Sequence, residues 1–387
     1  MRSRLIVLIC LTVGSSTFPI GAFPALLPDL DRVVGLSDVQ LGALAAAFGF
    51  ARMVVDIPVG LFVMRHLRVA LRVAPVLVTL GILLIGTGGP FAVLLGGRLL
   101  MGVAHAVGMV AWLTTVLRYQ TGRSLGTALN AIEFTAMIGM LTGVGLVGLL
   151  PKTWSWNHVL LVACAPQLAG IVLGLMLARS LPRDEPAPAP AVPSAAEPVE
   201  RPRRFTPAIT LAFVTGAVVA ITYATLELYV IPLRGSREFG LDRGGVARLL
   251  MLAQLADILA LLPAGMLADR IGAGRLLSGI TLLMAGALVL TGFGGPGGLT
   301  AGAALLGLGM AGWMLPLAIL RRDTPPALIA WRTALYRVGV DGGLFLGPFV
   351  SGLLGPHAWA LAAVLAAVLV SLSLLLAVVE RDAARRA

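Results

Sequence analysis

Apolar stretches long enough to cross a bilayer follow one another along the whole of this 387-residue chain. Hydrocarbon offers no water to backbone N–H and C=O groups, so such a stretch must satisfy them within itself, as a helix. About 20 mainly apolar residues span the core. Twelve segments qualify, at approximately 5–27, 39–63, 73–90, 91–117, 126–149, 158–180, 207–231, 244–268, 276–293, 297–320, 327–354 and 358–379. Composition agrees: only 12% of residues are charged, about half the share of an average soluble domain. The expected fold is an all-α membrane protein with twelve transmembrane helices.

The net charge of +11 does not point to nucleic acid. All the basic residues but Lys152 are Arg, most of them in short connections between apolar segments, and no long basic run with interleaved aromatics is present. Basic residues collect in cytoplasmic loops. With the N-terminus inside, nineteen Arg fall on the cytoplasmic side, against Arg32, Lys152, Arg234, Arg237 and Arg243 opposite. Both termini are therefore expected in the cytoplasm, in the inner membrane of a bacterium. The basic Met1–Arg4 start before Leu5–Val13 looks like a signal peptide, but the many spans that follow make it an uncleaved first helix. Cys10 and Cys164 sit in apolar runs and read as small buried hydrophobes.

Between the sixth and seventh spans runs DEPAPAPAVPSAAEPVERPRR, too polar and Pro-rich to bury a core. It divides the chain into a bundle over 1–181, a cytoplasmic linker over 182–206 and a bundle over 207–387. The bundles are related. Gly35-Leu-Ser and Pro58-Val-Gly-Leu recur as Gly240-Leu-Asp and Pro263-Ala-Gly-Met, both 205 residues later. Duplicated six-helix units with a site between them are a transporter architecture.

The motifs point the same way. Gly265-Met-Leu-Ala-Asp269-Arg270-Ile-Gly272-Ala-Gly-Arg275 is similar to the loop signature of the major facilitator superfamily between helices eight and nine. Its counterpart in the first half, Gly60-Leu-Phe-Val-Met64-Arg65, has Met64 where the signature has Asp. Leu94-Leu-Gly-Gly-Arg98-Leu-Leu-Met-Gly102 resembles the helix-four motif whose Arg is linked to proton coupling in related transporters. Gly139-x3-Gly143 resembles the antiporter motif of helix five, with Val144 in place of its Pro. The resemblance extends over the whole chain and implies two pseudo-symmetric six-helix bundles.

Ionisable residues at bilayer depth are costly, about 2.5–3.5 kcal/mol each on insertion scales, and are rarely kept without a partner or a task. Arg52 and Asp56 stand one turn apart in the second span, Arg337 and Asp341 in the eleventh. The resemblance brings these antiparallel helices together, Arg52 near Asp341 and Asp56 near Arg337. Two readings follow: a latch between the bundles on the cytoplasmic side, broken when the halves rock apart, or a static ion cluster. Glu133 and Asp257 have no evident basic partner, and the resemblance also makes their helices meet. Two carboxylates in one dry site cannot both ionise cheaply, so these are the candidates for carrying a coupled proton. No His/Cys cluster suggests a metal, and no phosphate-binding loop of the ATPase type is present.

Family analogy lines the central cavity with helices one, four, seven and ten. The candidates there are Arg98, His105 and Trp112, then Tyr223 and Glu227, and Trp313 beside Gly312 and Pro316. Arg98 either anchors an anionic substrate or neutralises Glu227. The leading expectation is a monomeric secondary transporter, without cofactor, that expels a small organic solute against protons. Uptake or exchange of an organic anion is the alternative within transport. A non-transporting sensor or scaffold is the alternative outside it. Nothing in the chain suggests an enzyme.

Overall fold

The structure is a computed structural model that describes residues 2–119, 123–181, 205–324 and 326–386. All regular structure among the described residues is helical. Ten apolar helical segments are long enough to cross a membrane. Two of them, Asp38–Gly86 and Trp331–Arg381, have 49 and 51 residues. At 1.5 Å per residue each exceeds about 70 Å, more than twice a hydrocarbon core of about 30 Å. Each therefore supplies two crossings, which gives twelve.

We number the crossings α1 (Arg2–Asp29), α2 (38–65), α3 (67–86), α4 (Phe91–Tyr119), α5 (Arg123–Leu149), α6 (Trp156–Ser180), α7 (Pro207–Arg237), α8 (Arg243–Ile271), α9 (Ala273–Phe293), α10 (Pro296–Arg322), α11 (Pro326–Leu354) and α12 (Ala358–Arg386). The expected loop between the second and third spans is much shorter than the sequence suggested. Only His66 leaves helical geometry there, at φ −129° and ψ 41°. The reason is that Leu67, Ala70 and Leu71, assigned to that loop, are apolar and buried, so the helix continues through them. The linker expected over 182–206 lies outside the described residues except for Phe205 and Thr206. Thr206 caps α7, accepting from the Ile209 N–H at 3.2 Å, with Pro207 at the first helical position.

The sequence repeat has a structural counterpart in the turn before α2 and before α8. Gly35 and Gly240 both take positive φ, 70° and 64°, a conformation that costs glycine nothing. Two residues on, Ser37 and Asp242 cap their helices, accepting from Gln40 N–H at 3.3 Å and Gly245 N–H at 2.8 Å. Ser37 completes a capping box with Gln40.

Helices of the first six and the last six meet along two seams, α2 against α11 and α5 against α8. The first seam is closest at Gly42 and Gly352. A Cβ on Gly42 would lie 2.6 Å from Gly352 Cα and 2.7 Å from Pro348 O. Small residues allow this approach, and van der Waals packing rather than the hydrophobic effect drives helix association in lipid.

Candidate functional site

Three helices of the second half depart from regular α geometry or are paired with one that does, around one group of side chains. α7 carries a π-helical turn over Leu226–Val230, and Glu227 sits within it. α10 is interrupted after Met310 and resumes at Leu315, so Trp313 stands in a break between two helical pieces. Gly312 and Pro316 flank it: the pyrrolidine ring of Pro316 cannot donate to residue 312. π-bulges occur disproportionately at functional sites, and broken helices are how transporters build theirs.

Side chains from these irregular segments converge with two from α8. The rings of Tyr223 and Trp313 meet edge-on with centroids 6.3 Å apart. Gln254 Nε2 donates to Glu227 Oε1 at 3.1 Å. The Tyr223 hydroxyl is also within hydrogen-bonding reach of Glu227. Asp257, one turn beyond Gln254, lies within electrostatic reach of both Glu227 and Glu133 of α5. Tyr223, Gln254, Asp257 and Glu133 all fall in the middle third of their helices. Asp257 Oδ1 and Gln254 Oε1 are buried without a hydrogen-bond partner. A buried polar atom left in this state is expensive in a low dielectric.

The two charge pairs of α2 and α11 run between helices rather than along them. Arg52 Nη2 stands 2.8 Å from Asp341 Oδ1, and Arg337 Nε stands 3.7 Å from Asp56 Oδ2. The first contact is one of charge without hydrogen-bond alignment, since both Asp341 oxygens lack a hydrogen-bond partner. Arg52 lies fourteen residues beyond Asp38, about 21 Å into the helix. Past Asp56 and Arg337, Leu61, Phe62 and Met64 of α2 and Trp331 and Leu335 of α11 are exposed.

The α4 candidates are placed differently. Arg98 is only 3% exposed. Its guanidinium lies over the Phe23 ring, 3.8 Å from the centroid, and its Nε donates to Leu44 O at 3.3 Å. It forms no ion pair with Glu227 among the described residues, because Phe23, Phe48 and the Leu44 carbonyl enclose it within the first half. His105 and Trp112 are buried as well, with centroids 6.3 Å apart, and His105 also packs on Phe48. Gly265, Asp269, Arg270 and Arg275 of the loop signature are all exposed. Gly139 and Gly143 pack against Gly14 and Phe18 of α1.

One group of charges lay outside the sequence-based candidates. At the end of the molecule that carries residues 29–38, Arg237 of α7 grips Asp31 through Nε and Nη2, both at 2.7 Å, and reaches Asp38 through Nη1 at 2.6 Å. Arg243 pairs with Asp29 at 2.8 Å and donates to Pro151 O at 2.8 Å. Arg32 donates to Ser236 O at 2.9 Å. Lys152 pairs with Asp242. The Lys152 ammonium and the Gly245 N–H hold the Asp242 carboxyl below the usual carboxylate range. These contacts all join the first six helices to the last six, so this end is closed. A signal for them existed in the sequence: the repeat-equivalent loops carry Asp29, Asp31 and Asp38 in one half against Arg234, Arg237 and Arg243 in the other.

Solved structures of similar architecture are transporters. A POT family transporter in complex with 5-aminolevulinic acid superposes with a TM-score of 0.78 at 14% identity, over 97% of this chain and 96% of its own. The nucleoside transporter NupG gives 0.73 at 13%, over 97% and 98%. A bacterial homologue of the human lysosomal transporter Spinster, inward-facing and unoccupied, gives 0.72 at 16%, over 97% and 95%. At these identities the likeness is one of fold. Membership is settled by the sequence itself: residues 6–237 match the family model described as Major Facilitator Superfamily. This multi-pass membrane protein belongs to the Major Facilitator Superfamily and is a transporter rather than an enzyme.

Proposed function

We propose that the protein is a monomeric secondary transporter that expels a small organic solute across the bacterial inner membrane in exchange for protons. The bundle over 1–181 rocks against the bundle over 207–387, with the linker and both termini in the cytoplasm. The observation that carries this reading is the packing of α5 against α8, which sets Glu133 and Asp257, from opposite halves and at mid-span, within electrostatic reach of each other. A buried carboxylate without a basic partner is stable only with a proton or a cation beside it. Two such groups on opposite halves change their mutual distance when the halves move, which links protonation to the conformational equilibrium.

The ion pairs fit this scheme as latches. Arg237 and Arg243 hold one end closed, the end expected to face the periplasm. Arg52–Asp341 and Asp56–Arg337 continue the contact inward to mid-span, and both sets exchange partners or water as the halves rock. The organic-anion reading depends on Arg98, whose Nε is taken by Leu44 O and whose face lies on Phe23, while its Nη1 is buried without a hydrogen-bond partner.

The test is flux in proteoliposomes with a panel of organic cations, organic anions and neutral solutes, with and without an imposed pH gradient. Uphill movement of at least one solute against an inward proton gradient is the expected result. Accumulation indifferent to every pH gradient removes proton coupling.

A further inference from the structure

The charge balance of the buried side chains is uneven, and it favours one class of solute. Arg52 and Arg337 are matched by Asp341 and Asp56. Arg98 is closed off by Phe23 and Phe48. What remains around the irregular stretches of α7 and α10 is acidic: Glu227, Asp257 and, from across the seam, Glu133.

A second observation gives this group unmet hydrogen-bonding capacity. Gln254 is 8% exposed and uses its amide nitrogen on Glu227. Ionised Glu227 can only accept, so the nitrogen must face it and the carbonyl oxygen Oε1 is the atom left over. That oxygen is buried without a partner, as is Asp257 Oδ1 one turn along the same face of α8. Both are acceptors. A group that satisfies them must donate hydrogen bonds, and a group that neutralises the acids must be positive.

The aromatic pair completes the requirement. Tyr223 and Trp313 are half-buried, unlike Glu227, so part of each ring is left uncovered by protein. Tryptophan and tyrosine faces attract cations, and their width suits an aryl group.

We infer that Tyr223, Glu227, Gln254, Asp257 and Trp313 form a binding site for a protonated arylalkylamine, the ammonium on Glu227, Gln254 Oε1 and Asp257, and the aryl group on Tyr223 and Trp313. The inference rests on the transport reading above and narrows it to one substrate class. An anion of the same size meets three carboxylates there, and Arg98 is held against Phe23 in the first half. A quaternary ammonium carries the charge but has no N–H for Gln254, so it binds more weakly than the amine.

The experiment is equilibrium dialysis of the purified full-length protein with radiolabelled phenethylamine, competed by 3-phenylpropionate or by the N-trimethylated amine. No gradient is present, so the result is independent of proton coupling. Saturable retention of phenethylamine, displaced by the trimethylated amine only at higher concentration and not by 3-phenylpropionate, is expected. Glu227→Gln should weaken retention by about tenfold or more, the usual effect of losing a charged hydrogen-bond partner, and Glu227→Asp should restore most of it. Trp313→Ala should weaken it and Trp313→Phe should not. Equal competition by the carboxylate, or retention unchanged by Glu227→Gln, overturns the site. If Glu227→Gln does not fold, amine-over-carboxylate selectivity in the unmodified protein decides. pH-driven flux of some other solute without amine binding defeats this inference and leaves the transport reading intact. Amine binding in a protein that ignores pH gradients does the reverse.

Discussion

Arg52 and Asp341 face each other across the seam between α2 and α11, with 2.8 Å between Nη2 and Oδ1. Asp341 is 1% exposed, so almost no solvent screens the pair. Removing one member of such a pair strands the other charge, at a cost of about 3–5 kcal/mol, whereas removing both costs far less. Arg52→Ala should therefore lower the thermal stability of the purified protein markedly, and Arg52→Ala combined with Asp341→Ala should recover much of the loss. A double variant as unstable as the sum of the two single variants would refute direct coupling. For a latch, single-cysteine labelling along α2 should also change in Arg52→Ala; labelling identical to the parent leaves only the static ion cluster.

The same seam is closest where no side chain stands. Alanine at position 42 would place its Cβ 2.6 Å from Gly352 Cα, so α2 and α11 must separate. Overpacking of this kind costs about 1–3 kcal/mol. Gly42→Ala should open the end that carries residues 29–38, read as faster thiol labelling of a cysteine placed at Leu36. Labelling no faster than in the parent would show that the seam yields elsewhere.

The closed end separates strong pairs from weak ones. Arg237 engages two carboxylates with a planar fork, the geometry in which arginine pairs are strongest, so Arg237→Ala should accelerate labelling at Leu36 as well. Lys152 is largely exposed in its pair with Asp242, and exposed pairs contribute little, about 0–1 kcal/mol. Lys152→Ala should leave labelling and thermal stability near the parent values. The lowered carboxyl of Asp242 gives the pH dependence its sign. Its small contribution is present above the ordinary carboxylate range and disappears as pH falls through the depressed value, so neutral and mildly alkaline solutions should be indistinguishable.

Proton coupling makes a kinetic claim. Glu133→Gln and Asp257→Asn keep the shape of each side chain and remove its proton site. Each should abolish flux driven by a pH gradient while downhill exchange continues. Undiminished pH-driven flux in both variants would assign the proton to another group.

Much of the architecture was legible in the chain because lipid leaves a polypeptide few options. Twelve apolar stretches had to be helices, and Gly35-Leu-Ser and Gly240-Leu-Asp announced the same glycine turn and helix cap in each half. The connections were less legible. Leu67, Ala70 and Leu71 belonged to an expected loop but are buried in a continuing helix, since three apolar residues among arginines read alike in either setting. Arg98 illustrates a different limit. Its spacing on α4 marks a face of the helix, yet only packing against α1 and α2 puts Phe23 over the guanidinium.

The sequence by itself determined the class of fold, the number of crossings, the repeat and the short list of buried charges, because each follows from hydropathy and spacing along one helix. The tertiary structure alone decided the partners that neither spacing nor resemblance reached. Arg237 closes on Asp31 and Asp38, and Glu227 is held by Gln254. The π turn at Glu227 was also invisible, whereas Gly312 and Pro316 marked the break at Trp313. A charge, a ring or an amide can satisfy itself with any suitable group within reach, and reach is set by how helices from distant parts of the chain pack.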